Sequence, residues 1–437
     1  MPSRILLVLP NPTPMRFRGI KLAKAIFPPL GLMTVAANTP PGFEMRLVDE
    51  AVTPLDYDTP ADLVAISTNT ACANRAYEIA AEFRRRGAKV VIGGIHATAE
   101  PEETLRSADA VGIGECEGYW AQLCQDFEAG KLQQVYRCAG FPDLSDLPLP
   151  RRDLMNPKHY LMPRTIQTSR GCPFRCSFCC VHKFFGGRYR LRPIGQVMAE
   201  IERMTTRGPL VFVDDNLFGD RDHSEELLQA IAPRREEWFA QASSVSLQDE
   251  DFLQRAGRAG CRMVFVGIES LSTDNLKDIN KQFNRPQDTK ELIARCHRAG
   301  IGVMGAFIVG LDGDEVSVFE RVVEFAMDAH LDVIQIAIRI PIPGTDDSAV
   351  LAPRIFDHDY RKRDGSKAVF FHDRIYPPVL MEERLQWAIS HLYSKKAIKH
   401  RLSGHSGPHL PWSYRVNRGF ALRANKWLRR LALGSEQ

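Results

Sequence analysis

No run of 18 apolar residues occurs in the 437-residue chain, and a membrane-spanning helix needs about 20. The first apolar stretch, within MPSRILLVLPNP, is closed at once by Asn and Pro, and no secretory-signal pattern appears. The chain is therefore expected in the cytoplasm. Low-complexity tracts and short repeats are missing as well. A strong overall charge is also absent: the net value of +4 does not mark a nucleic-acid binder. The one marked local absence is of carboxylates. Lys395, Lys396, Lys399, Arg401, Arg415, Arg418, Arg423, Lys426, Arg429 and Arg430 follow one another with no Asp or Glu between them. Such a tail reads either as a solvated helix face or as a surface for an anionic substrate, an acidic partner or a peripheral membrane contact.

What is present is ordinary globular composition, 44% hydrophobic and 25% charged, at a length that allows two or three domains. Apolar strand-like runs recur at 4–10, 44–50, 62–68, 88–94 and 108–114, with helical stretches such as NRAYEIAAEFRRRG between them. Uniformly apolar strands suit a parallel sheet covered on both faces. The expectation is an α/β, doubly wound, Rossmann- or flavodoxin-like domain over 1–136 that binds its ligand at the carboxyl ends of the strands. A nicotinamide domain would carry GxGxxG after the first strand, where PNPTPMRFRG stands instead. A linker is expected over 137–160. A second series follows at 164–170, 209–216, 237–245, 262–270, 301–310 and 332–343. Six strands in βα order predict a partial barrel over 161–350, too few for a complete one of eight. A mainly helical extension on the substrate side is expected over 351–437, with a helix at 382–402.

Four of the ten cysteines crowd into SRGCPFRCSFCC, residues 169–180. In a reducing cytosol clustered thiols serve metals or catalysis more often than disulfides. No second CxxC or HxxxH pair is expected to complete a tetrahedral zinc site; His182 could serve, but four ligands so close together would be crowded. Cys172-x3-Cys176-x2-Cys179 with one vacant corner suits a [4Fe–4S] cluster.

CxxxCxΦC, with Phe178 as the aromatic, directly after the first strand of a six-stranded βα series, resembles the radical S-adenosylmethionine (SAM) superfamily. The resemblance implies cluster ligation by Cys172, Cys176 and Cys179, SAM on the open iron, and reductive cleavage to a 5′-deoxyadenosyl radical fed by a donor such as flavodoxin or ferredoxin. Cys180 is expected to be a packed thiol. Phe178, Asp214, Asp215 and Asn216 (VFVDDN), Glu269 and Ser270 (GIES), and Gly310 (AFIVGLDGDE) match the segments that contact SAM in that superfamily; PIPGT (341–345) resembles the segment closing the sixth strand.

Ahead of the cysteines, PPLGL, DLVAIST, VIGGIHAT and GIGECE resemble the cobalamin-binding domain of one class of these enzymes. The resemblance implies cobalamin contacts from Ser67, Thr68, Gly93, Gly94, His96, Gly114 and Glu115. The small residues would let a large ring lie against backbone. Asp-x-His-x-x-Gly, which supplies a cobalt-ligating histidine in free-standing cobalamin domains, is absent, so His96 is expected to contact ring amides or solvent. Cys72, Cys116, Cys124 and Cys138 do not form the second cluster set of the methylthiotransferases. The tail over 372–402 resembles hopanoid and bacteriochlorophyll methylases. The implied function is methylation of an unactivated carbon in a small, hydrophobic biosynthetic intermediate. A cobalamin-dependent cyclase or oxidase and a non-catalytic sensor are the alternatives.

Overall fold

The computed structural model describes residues 2–11, 24–372 and 376–434, with side chains as far as Leu422 in the last helix. The first five apolar runs become β1 (Arg4–Leu9), β2 (Glu44–Asp49), β3 (Leu63–Ser67), β4 (Lys89–Gly93) and β5 (Ala110–Ile113), joined by β6 (Val135–Arg137). All pair in parallel, in the order β2-β1-β3-β4-β5-β6. Uniform apolarity has its cause in the covering of both faces. Leu6, Val8, Ile66 and Ile92 pack with Ala76, Ile79 and Phe83 of the helix Ala73–Arg85. Ile5, Leu7, Ala65 and Val91 pack on the other side with Leu32, Trp120 and Leu123. The order reverses between β1 and β3, which opens a crevice at their carboxyl ends. β6 was not expected; it carries the sheet past 136 into the segment read as linker, which otherwise holds short turns of 3₁₀ helix.

The second series forms β7 (Arg164–Ile166), a two-residue hairpin β8 (Ser169–Arg170) and β9 (Arg190–Leu191), then β10 (Leu210–Phe212), β11 (Trp238–Ala242), β12 (Cys261–Glu269), β13 (Gly302–Val309) and β14 (Val333–Ile338). The main sheet runs β7-β10-β11-β12-β13-β14, parallel throughout and in chain order. Each βα unit therefore adds beside the last, giving an open, partial barrel. Its core is Phe212, Trp238, Leu227, Phe252, Leu292 and Phe319.

The helix expected at 382–402 is two, Pro378–Leu392 and Lys395–Arg401. They break at Ser394, whose hydroxyl caps the second by accepting from the Ala397 N–H at 3.2 Å. Met381, Leu385, Ala388 and Leu392 enter the barrel core, so the extension is stitched to it. Arg401, read as part of a basic surface, is wholly buried: it donates to the carbonyls of Leu331, Asp332 and Leu392. Lys395, Lys396, Lys399, Arg415 and Arg418 are exposed; the side chains of Arg423, Lys426, Arg429 and Arg430 lie outside the described residues. No described helix is long and apolar enough to cross a membrane.

Candidate active site

The cysteine loop leaves the carboxyl end of β7 and is closed at its base by the β8–β9 hairpin, Arg170 opposite Arg190. Gly171 stands at φ +90°, with the Arg188 carbonyl against the place of a Cβ. Cys172, Cys176 and Cys179 are all unbridged, Cys176 buried and the other two half-buried. Neighbouring segments fix the loop from outside. Ser177 N–H donates to the Ile279 carbonyl at 3.0 Å, and the Asp347 N–H to the Ser177 carbonyl at 3.0 Å; Asn280 Nδ2 donates to the Arg175 carbonyl at 2.6 Å. Burial pushes the Cys176 thiol up to about 11 and the Cys179 thiol to about 12. Cys180 is also half-buried and begins the helix Val181–Phe184.

Lys281 was not expected here. It follows the helix Thr273–Asp278 and reaches back so that Nζ is 2.7 Å from Glu269 Oε1, with the rings of Phe178 and Phe283 at 5.7 and 5.8 Å. Its charge acts on Cys176 and Cys172, opposing the rise of both thiols. Glu269 ends β12 at a register shift and with φ +66°, a left-handed conformation that costs a non-glycine residue about 1–3 kcal/mol. Ser270 is buried, and its hydroxyl accepts from the Ser272 N–H and Asn275 Nδ2 at 3.1 and 3.3 Å. Phe178 packs with Leu276, Ile279 and Leu311.

Asp214 and Asp215 part company. Asp214 is 1% exposed and held from the β7 end through Oδ1: Thr168 N–H at 2.9 Å, Thr168 Oγ1 at 2.8 Å and Ser169 Oγ at 2.6 Å. It anchors the turn leading into the cysteine loop, and its Oδ2 accepts only the shared Thr168 N–H at 3.2 Å. Asp215 receives the Gly171 backbone N–H, and burial with the neighbouring Asp214 pushes its carboxyl up to about 7. Among the described residues no side-chain cation pairs with it. A buried carboxylate in that state welcomes a positive ligand group. Asn216 accepts from the Ser243 N–H at 3.0 Å, while its Nδ2 is buried without a partner.

Gly310 has φ +93°, but the space beside it is filled by the His372 ring and by Met381 Cε, and the Gly310 carbonyl lies 3.1 Å from His372 Nδ1. On the side where a Cβ would stand, Gly310 meets the chain's own C-terminal segment. Thr345 of PIPGT caps the helix Asp346–Leu351.

The crevice of the first sheet is a cavity of about 320 Å³ at the ends of β3, β4 and β5, where Ser67, Gly93, Gly94, Gly114 and Glu115 line it. The barrel completes it: Gln167, Arg170, Phe184, Phe185 and Val213 form the facing wall. Thr68 does not line it; its hydroxyl donates to the Asn69 carbonyl at 2.9 Å. His96 does not reach it either. It is 0% exposed, with Nε2 3.0 Å from the Tyr77 hydroxyl and its ring edge-on to Tyr360 at 4.7 Å, so it contacts neither solvent nor the cavity. Gly94 (φ +100°) is required by the chain itself, because a Cβ would stand 2.6 Å from the Thr68 carbonyl oxygen. Glu115 has a second role. It binds Arg170 and Arg190 of the hairpin, and Arg170 also holds Glu117 at 2.6 Å, which ties the carboxyl end of the first sheet to the hairpin under the cysteine loop.

These features fit the groups implied by the sequence. Three unbridged thiols on one loop suit a cluster with an open iron. The unpaired Asp215 suits a cationic amine, and a largely apolar cavity walled by both domains suits a corrin.

The family model described as the Radical SAM superfamily matches residues 166–326, and that described as the B12 binding domain matches 20–123. Bacteriochlorophyllide d C-12(1)-methyltransferase of Chlorobaculum tepidum is 30% identical over 405 residues, 90% of this chain and 88% of its own. The chain belongs to the B12-dependent radical SAM methyltransferases. Hopanoid C-2 methylase of Rhodopseudomonas palustris is 27% identical over 405 residues, covering 85% of this chain and 75% of its own. The solved structure of TsrM from Kitasatospora setae with cobalamin and a [4Fe-4S] cluster bound shares the fold, at TM-score 0.67 and 18% identity over 98% of this chain and 100% of that one. The methyltransferase uses a [4Fe–4S] cluster, SAM and cobalamin and methylates carbon in a small molecule.

Proposed function

We propose that the enzyme methylates an unactivated carbon of a hydrophobic biosynthetic intermediate held between its two carboxyl edges. The observation that carries this is the shared cavity: Ser67, Gly93 and Gly114 of the first sheet face Gln167, Phe184 and Val213 across it. The cluster with SAM at the cysteine loop would supply a hydrogen-abstracting radical, and cobalamin in the cavity would supply the methyl group.

The chain's own part is to hold and orient. Cys172, Cys176 and Cys179 are the cluster ligands in this reading. Asp215 receives the SAM amine, and Glu269, steered by Lys281, faces the same cofactor. Phe184 and Phe185 present an apolar wall to the cavity. Arg170 keeps the two edges in register through Glu115 and Glu117. A one-electron donor such as flavodoxin or ferredoxin and a cytoplasmic location belong to the same reading. The exposed Lys395, Lys396, Lys399, Arg415 and Arg418 support a peripheral contact with an anionic membrane where a hydrophobic substrate would dissolve.

The test is a product count in cobalamin-loaded enzyme with candidate bacteriochlorophyllide-like or hopanoid substrates. S-adenosylhomocysteine and 5′-deoxyadenosine are expected in equal amounts, matched by one methylated product. Substrate-dependent 5′-deoxyadenosine without S-adenosylhomocysteine would replace methylation by cyclisation or oxidation.

A further inference from the structure

At the amino-terminal end of the barrel, away from the cysteine loop, three histidines surround one carboxylate. His297 closes the helix Thr289–Arg298, just before β13. Asp332 immediately precedes β14. His405 and His409 come from the turn between the helices Lys395–Arg401 and Leu410–Gly434. Against the expectation that the chain holds no HxxxH pair, His405-x3-His409 is one, and two histidines three to five residues apart are common in zinc sites.

The four ligating atoms lie within 4.8 Å of one another. His297 Nε2 is 2.7 Å from Asp332 Oδ2, while His405 Nε2 and His409 Nε2 are 3.4 and 3.8 Å from Asp332 Oδ1. Tetrahedral zinc with bonds near 2.1 Å sets neighbouring donor atoms about 3.4 Å apart; the two distances to Oδ1 lie at and just above that value, while His297 is hydrogen-bonded to the other oxygen. Asp332 and His409 are wholly buried; the side chains of His405 and His297 are 8% and 9% exposed. No ring nitrogen of His405 or His409 makes a well-aligned hydrogen bond, although His405 faces Asp332 and His409 faces the Gly300 backbone. Buried polar atoms left so are rare in folded proteins. The carboxylate is oriented from behind: Ser413 Oγ donates to Oδ1 at 2.7 Å and the Val303 N–H to Oδ2 at 2.8 Å. This is the outer support that metal-ligating carboxylates receive. The chain also makes room, since a Cβ on Gly302 would stand 3.2 Å from Asp332 Oδ1.

We propose that His297, Asp332, His405 and His409 bind one structural Zn²⁺ that fastens the C-terminal extension to the floor of the barrel. Three imidazoles and a carboxylate are a borderline-soft donor set that suits zinc. Four protein ligands leave no open position, so the ion is structural. His297 exchanges its bond to Asp332 for one to the metal. The two sites take different ions for chemical reasons: thiolates on the loop hold iron and sulfide, imidazoles hold zinc.

The test is metal analysis of the holoenzyme, made anaerobically in zinc-supplemented medium and desalted. About one zinc per chain is expected beside the cluster iron. X-ray absorption at the zinc edge should show nitrogen and oxygen neighbours and no sulfur. His409→Gln should lower zinc at least tenfold while iron and bound cobalamin stay at wild-type levels. Wild-type protein without zinc, or zinc with sulfur neighbours, which would place it in the cysteine loop, overturns the proposal. The absorption measurement needs only the wild type, so it decides the matter even where the variant does not fold.

Discussion

The two sheets are both six-stranded and wholly parallel, yet the groups at their carboxyl edges differ in kind. In the first, strand order reverses between β1 and β3, and the residues at the ends of β3, β4 and β5 are Ser67, Gly93 and Gly114. In the second, strands follow chain order, and the groups gathered at the carboxyl edge are thiols and charges: Cys172, Cys176, Cys179, Asp215, Glu269 and Lys281. The first edge is a shaped space and the second a set of reactive and ionic groups. Single substitutions should therefore hurt the barrel edge far more than the crevice.

The largest effect is expected at the loop. Replacing Cys172, Cys176 and Cys179 together by Ala should remove all cluster iron and all turnover, whereas Cys180→Ala should keep both. Iron assay of the two anaerobically purified variants checks this; iron retained in the triple variant would place the cluster elsewhere.

Next comes the pair Glu269–Lys281, whose side chains are 8% and 12% exposed. Glu269→Gln leaves a buried ammonium unpaired, and breaking such a pair costs about 3–5 kcal/mol. The melting temperature should fall and SAM binding weaken. Adding Lys281→Met should restore most of the stability and none of the binding. Equal stability of the single variant and the wild type would show that the pair does not matter.

Asp214 and Asp215 sharpen the contrast within one strand end. Asp214→Asn removes a charge that accepts three hydrogen bonds and should lower stability by about 1.5–3 kcal/mol. Asp215→Asn should leave melting nearly unchanged and weaken SAM binding about 10- to 100-fold, the worth of one charge-assisted hydrogen bond. Calorimetry on both variants separates them; identical profiles would remove the distinction.

How much could be read beforehand follows the same division. The strands were visible because their residues are apolar at nearly every position, as in Leu63–Ser67 and Val333–Ile338, even though the barrel strands are fully buried on one face only. β6 escaped notice because Val135–Arg137 has one buried residue between two exposed ones. The cysteines were legible as a local motif. Lys281 was not, since its partner Glu269 is twelve residues away and its burial depends on how the helix between them folds back. Asp214 and Asp215 look alike in sequence; only the turn at Thr168 distinguishes them. Gly310 was correctly placed at a strand end, but His372, sixty-two positions on, occupies the space beside it. The histidine cluster joins residues from 297 to 409, and no local pattern contains all four.

The smallest effect is expected in the crevice, where a histidine changes nothing at the metal. His96 was singled out because it follows Gly93-Gly94, but its ring is turned into the core against Tyr77 and Tyr360. No histidine lines the cavity among the described residues, and residues 12–23, PTPMRFRGIKLA, contain none. Cobalamin held there is therefore expected to lack an imidazole ligand from the chain. The Co(II) electron paramagnetic resonance spectrum of the loaded enzyme should lack nitrogen splitting on its axial lines. His96→Gln should leave that spectrum unchanged and lower stability by about 1 kcal/mol through the lost contact with Tyr77. A three-line nitrogen pattern that disappears in the variant would move His96 into the crevice, and the first sheet would then hold its cofactor by ligation as the second does.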